Sequence, residues 1–70
     1  MLYNFAENLR RLRREKRLSQ RQLGELINLD HSIICSWENC TRYPTLDKVH
    51  DIAKVLGVSI HDLLDENYTD

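Results

Sequence analysis

A chain of 70 residues, 41% hydrophobic and 30% charged, buries only about 60% of the surface it exposes when unfolded, which is enough for one core and not two. The opening MLYNFAENLRR lacks a basic region followed by an apolar run, and no stretch approaches the ~18 apolar residues of a membrane span, so the reading is a cytoplasmic chain with reduced thiols. The net charge of −1 hides a polarity: residues 1–23 hold seven basic residues against Glu7 and Glu15, while residues 45–70 hold Lys48 and Lys54 against six acidic ones, so one end can meet a polyanion while the other stays clear.

Candidate N-caps set the helix starts. Asn4, with Glu7 three residues later, predicts a capping box opening a helix over 4–16 whose inward stripe is Phe5, Leu9 and Leu12. Ser19 and Gln22 repeat the box for a helix over 20–27, stapled by Leu18 on Leu23 and carrying Leu23, Leu26 and Ile27 inward. Asp30, flanked by the Leu29 and Ile34 staple, caps a third helix over 31–39 with Ile34 and Trp37 inward. Pro44 bars it from running on into a fourth over 46–56, where Leu46, Val49, Ile52, Ala53 and Leu56 form the stripe and Gly57 makes the stop. Ser59 with Asp62, and Val58 on Leu63, open a last helix over 60–65 that turns Ile60, Leu63 and Leu64 inward.

No strand pattern competes, so the chain reads as all-α: one five-helix domain, residues 1–70, with its core over about 5–65. The connection Ile27-Asn28-Leu29-Asp30 is too short for anything but a steep crossing of the second and third helices, and Asn28 suits the positive φ such a turn needs. Gly24 costs about 1 kcal/mol of helix propensity against alanine, so a close backbone approach is its expected reason. Two helices joined in this way form a helix-turn-helix.

Four segments, NLRRLRREKRLSQRQLGELI, LDHSIICSWEN, RYPTLDKVHDIAKVLGVS and IHDLL, stand in the order and spacing of a known family. Over residues 5–65 the chain resembles the phage repressor and Cro-type, or XRE-type, helix-turn-helix regulators. The resemblance implies a lambda-repressor-like fold and a sequence-specific transcriptional regulator, expected to be a repressor, that inserts its third helix into the major groove of a palindromic double-stranded operator DNA as a homodimer. It departs from the family at Asn28 and Cys40, where glycine is common, and Cys40 leaves the path of the following loop open.

The residues support the same reading. With Ile34 and Trp37 turned inward as a core anchor, the third helix keeps His31, Ser32, Cys35, Ser36 and Asn39 outside, a small, uncharged, polar face suited to a major groove. The resemblance places base reading on His31, Ser32 and Ser36, makes Gln20 a phosphate clamp, gives Asn39 a backbone contact, and pairs Arg13 with Glu38 while leaning it toward phosphate. Arg21, beside Gln20, and Thr41 and Arg42, after the third helix, are further phosphate candidates. Leu23, Ile34, Trp37 and Glu38 are the structural set, and Val58, Ile60 and Leu64 are apolar positions left over for a dimer contact.

Rival chemistries have less to stand on. His31, Cys35 and Cys40 lack the paired C-x-x-C and fourth ligand of a structural zinc site, so no metal or cofactor is expected. A redox role would require a lowered thiol pKa; the plainer expectation is that both cysteines are small, partly buried fillers. The dispersed histidines and absent phosphate loop argue against an enzyme or a small-molecule ligand. The alternative from a different class is a protein-interaction module on this scaffold, an antitoxin or anti-repressor, using the acidic end.

Overall fold

The computed structural model describes residues 4–65; Glu66 and Asp70 of the acidic stretch lie outside them. Five helices follow in order: α1 Phe5–Glu15, α2 Gln20–Leu26, α3 His31–Glu38, α4 Leu46–Leu56 and α5 Ile60–Leu64. Each lies where it was predicted, and the described residues contain no strand. Two stripes are corrected: Leu26, the last residue of α2, and Leu46, the first of α4, were expected inward and are 56% and 70% exposed, because these helix ends run past the core.

All five helices meet in one core. Leu9, Leu23, Ile34, Ile52, Leu56 and Leu63 are fully buried, at least one from every helix. Leu18, Leu29 and Val58, the predicted staple residues, lie half-buried against that core. Phe5 meets Trp37 edge to face, with centroids 6.3 Å apart and planes at 74°, a geometry that places a ring edge against the neighbouring π face. A long-range tie joins the chain's ends: the buried Asn8 amide donates to the carbonyls of Leu63 and Asp65, at 2.9 and 3.0 Å. The amide of α1 thereby caps the end of α5.

The helix starts mostly follow the sequence. Ser19 with Gln22 and Ser59 with Asp62 form complete capping boxes, and Asp30 accepts from the Ser32 N–H. The box predicted at Asn4 does not form. Asn4 has φ −87° and ψ 39° and makes no side-chain cap bond, because a cap oxygen reaches the helix N–H groups only from an extended backbone. Thr45, unforeseen, caps α4 by accepting from Lys48 N–H at 3.4 Å.

The first four helices share one way of stopping. Arg17, Asn28, Cys40 and Gly57 all have left-handed backbones, with φ of 58°, 59°, 67° and 70°. After each, the next residue's N–H reaches back to a carbonyl five residues earlier: Leu18 to Arg13, Leu29 to Gly24, Thr41 to Ser36 and Val58 to Ala53, at 2.8–3.1 Å. These are left-handed C-terminal caps, and only one uses the residue best suited to them. Cys40 therefore accepts the strained backbone instead of taking another turn. Gly24 has the reason expected of it, since a Cβ there would collide with the Leu29 carbonyl oxygen.

Candidate nucleic-acid interface

The site is built outward from a buried carboxylate at the end of α3. Glu38 is 4% exposed, and the Arg13 guanidinium grips it bidentately, with Nε to Oε2 at 2.7 Å and Nη2 to Oε1 at 3.0 Å. Gln20 adds an amide N–H to Oε1 at 3.2 Å. Burial alone would push the Glu38 carboxyl upward, but the hydrogen bonds from Arg13 and Gln20 and the charges of Arg13 and Arg10 outweigh it and hold its pKa below the ordinary value. The same hydrogen bond raises that of Arg13 against the opposing effect of burial. Three helices are thus locked together, with α1 and α2 both fastened to the base of α3.

Arg13 differs from the other phosphate candidates. It is 7% exposed, and its Nη1 also donates to the Leu18 carbonyl at 2.7 Å, so Nε, Nη1 and Nη2 are all engaged inside the protein. Its neighbour one turn earlier was missed from the sequence. Arg10 donates from Nη2 to the Glu38 main-chain carbonyl at 2.7 Å, and its Nε lies 3.6 Å from Oε1, with the side chain 37% exposed. The available signal was the i, i+3 spacing that puts Arg10 and Arg13 on one face of α1.

The outer face of α3 collects the residues named for base reading. Ser32 and Cys35 are exposed, and His31 and Ser36 are half-buried. His31 Nδ1 lies 3.8 Å from the Asp30 carboxylate, whose pKa is lowered chiefly by its hydrogen bonds with Ser32. The expectation of partly buried cysteines is corrected: Cys35 and Cys40 are both free and exposed. Cys35 falls on the outer face one turn from Ser32, and Cys40 stands at the left-handed cap, where no core reaches it. Among the described residues, no three His, Cys, Asp or Glu side chains gather as a metal-binding set.

Beyond the helix, the turn is wired back to it. Thr41 N–H and Arg42 N–H both donate to the Ser36 carbonyl, at 3.0 and 3.2 Å. Asn39 accepts at Oδ1 from Thr41 N–H at 3.1 Å and from its hydroxyl at 2.7 Å. Asn39, Thr41, Arg42 and Arg21 are exposed, while Gln20 is half-buried by its bond to Glu38. The Ser19 box takes up the N–H of Gln22, and the described bonds do not use those of Gln20 and Arg21 at the start of α2. Val58, Ile60 and Leu64 are half-buried against the core, whereas Leu26, Tyr43 and Leu46 are 56%, 60% and 70% exposed. No helix among the described residues is long and apolar enough to cross a membrane.

Comparison with known proteins agrees with this architecture. The chain is 37% identical over 60 residues to the HTH-type transcriptional activator BcrR of Enterococcus faecalis, covering 86% of this chain and 29% of that protein. It is 31% identical over 65 residues to the cryptic phage CTXphi transcriptional repressor RstR of Vibrio cholerae, covering 93% and 59%. The chain therefore spans less than two thirds of the length of either relative. The crystal structure of the restriction-modification controller protein C.AhdI from Aeromonas hydrophila superposes with a TM-score of 0.83 at 33% identity, over 90% of this chain and 96% of that one. Hydroxypropylphosphonic acid epoxidase from S. wedmorenis matches with a TM-score of 0.84 at 30% identity, over 99% of this chain but 37% of its own. The fold thus also occurs within an enzyme, and fold alone does not assign activity. The helix-turn-helix family profile matches residues 9–63, and with the buried Arg13–Glu38 lock beneath an exposed α3, the chain belongs to the XRE-type helix-turn-helix family.

Proposed function

We propose that the chain is a sequence-specific DNA-binding transcriptional regulator, acting in the cytoplasm and not as an enzyme, that inserts α3 into the major groove of a palindromic operator as a homodimer. The observation that carries this reading is the contrast across α3: a short, uncharged, polar outer face on a helix whose inner face is fixed by Glu38, Trp37 and Ile34. Such a helix is narrow enough for a groove and rigid enough to present donors and acceptors at set positions. Relatives named as an activator and as a repressor support regulation without choosing its sign.

In this reading His31, Ser32 and Ser36 meet base edges. Gln20, Arg21, Asn39, Thr41 and Arg42 meet phosphates, aided by the main-chain N–H groups at the start of α2. Arg13 acts through Glu38, setting the angle of α3, and touches phosphate at most with a guanidinium edge already engaged. The exposed parts of Val58, Ile60 and Leu64 would form the dimer contact, on the acidic side of the molecule. The exposed Leu26, Tyr43 and Leu46 favour a second reading, a module that binds another protein.

Selection from random-sequence DNA decides between them. An enriched inverted repeat with half-site centres about one helical turn apart supports the dimeric operator reading. Arg42→Ala should then weaken binding evenly across sequences and lower its salt dependence, while His31→Ala shifts the base preference at one position. A monomer on DNA in sedimentation would remove the homodimer. The absence of any enriched sequence would favour the protein-binding module.

A further inference from the structure

The serine at the middle of the outer face has its hydrogen-bonding polarity set before any ligand arrives. Ser36 Oγ donates its proton to the Ile33 carbonyl at 2.6 Å. A serine hydroxyl carries one proton and two lone pairs, so with the proton committed inward it offers only lone pairs outward. The backbone beneath it is held as well, since the Ser36 carbonyl accepts from Thr41 N–H at 3.0 Å and Arg42 N–H at 3.2 Å.

The neighbouring Asn39 has the opposite polarity. Its Oδ1 receives the Thr41 N–H and O–H, and a main-chain N–H can only donate, so the amide oxygen must face Thr41 and the NH₂ must face away. That NH₂ lies 3.9 Å from Cys35 Sγ. One turn of α3 therefore presents an acceptor at Ser36 and a donor at Asn39.

We infer that Ser36 is a specificity-determining residue that selects amino-bearing bases, adenine or cytosine, over guanine or thymine on the strand it contacts; this rests on the major-groove reading of α3. Adenine and cytosine present N6 and N4 amino donors in the major groove, whereas guanine presents O6 and N7, and thymine O4, all acceptors. A keto base would face lone pairs with lone pairs unless the hydroxyl turned and gave up its bond to Ile33. The net worth of one neutral hydrogen bond makes the preference about two- to tenfold.

The test is selection from random DNA with the wild type, Ser36→Ala and Ser36→Thr, each first checked for folding by circular dichroism. Adenine or cytosine is expected at one half-site position; Ser36→Ala relaxes that position alone, and Ser36→Thr, which keeps the hydroxyl, retains it. Replacing the selected base with its analogue lacking the amino group, purine for adenine or 2-pyrimidinone for cytosine, should weaken the wild type about two- to tenfold and Ser36→Ala hardly at all. A guanine or thymine at the relaxed position, no relaxed position, or equal losses for both proteins overturns the inference while leaving operator binding intact. The absence of any enriched site overturns the major-groove reading itself, and the inference with it.

Discussion

On its inward side α3 presents Ile34, Trp37 and Glu38, all under 5% exposed, with the Glu38 carboxylate and carbonyl held by Arg13, Gln20 and Arg10. On its outward side Ser32 and Cys35 are exposed, and Ser36 and Asn39 make their side-chain bonds only within α3 and the turn after it. The inward contacts span 18 to 28 residues of sequence, the outward ones no more than five. Where the helix sits and what it can read are therefore set by different residues, and substitutions should separate the two.

Glu38→Ala should strain that separation most. It leaves the Arg13 guanidinium buried without its counter-charge, a loss of about 3–5 kcal/mol, against a total of about 4–10 kcal/mol expected for a domain of 70 residues. Urea unfolding followed by circular dichroism would show most of the stability gone. The same group gives stability an acid limit. Glu38 titrates lower in the folded chain than in the unfolded one, so as pH falls through about 4.3 the unfolded chain takes up the proton first and stability declines until the folded carboxyl is protonated too. Asp30 and Asp62, lowered by hydrogen bonds from Ser32 and Ser59, act with the same sign. Glu38→Gln should accordingly flatten the acid loss without abolishing it.

Asn8→Ala tests whether α1 also holds the far end of the chain. It withdraws the one donor shared by the carbonyls of Leu63 and Asp65, a loss of about 1–3 kcal/mol, read as a lower unfolding midpoint. A smaller change is expected at the end of α3, and with the opposite sign. Cys40 holds φ 67° where glycine would be at ease, so Cys40→Gly should stabilise by about 0.5–1 kcal/mol, after subtracting the extra freedom glycine gives the unfolded chain.

The helices were legible because their signals are local: a cap and its partner lie three residues apart, and a stripe repeats every three or four. Ser19, Asp30 and Ser59 acted as caps for that reason, and Asn28 and Gly24 foretold the tight turn. What was missed is either non-local or imposed from outside. Nothing near Asn8 announces a partner 55 residues away, and the Arg10 bond to Glu38 exists only once α1 and α3 have packed. Arg17 adopts φ 58° because the packing of Leu18 and the carbonyl of Arg13 require it, against the preference of arginine itself. The outer face of α3 was legible by subtraction from its core stripe, but the direction of each hydroxyl and amide was not, since that is decided by bonds within the folded turn.

The smallest predicted effect bears most directly on the two faces. His31 and Ser32 lie outside the core, and the cap bond from the main-chain N–H of Ser32 to the Asp30 carboxylate, at 2.9 Å, is one that alanine keeps. His31→Ala and Ser32→Ala should each change stability by no more than about 0.5 kcal/mol, with melting curves that overlay the wild type. Their DNA preference should nevertheless move, because a major-groove contact depends on the side chain alone. A stability loss as large as that of Asn8→Ala would mean that the outward residues also hold the helix in place. Position and readout would then be coupled, and base preference could not drift without destabilising the fold.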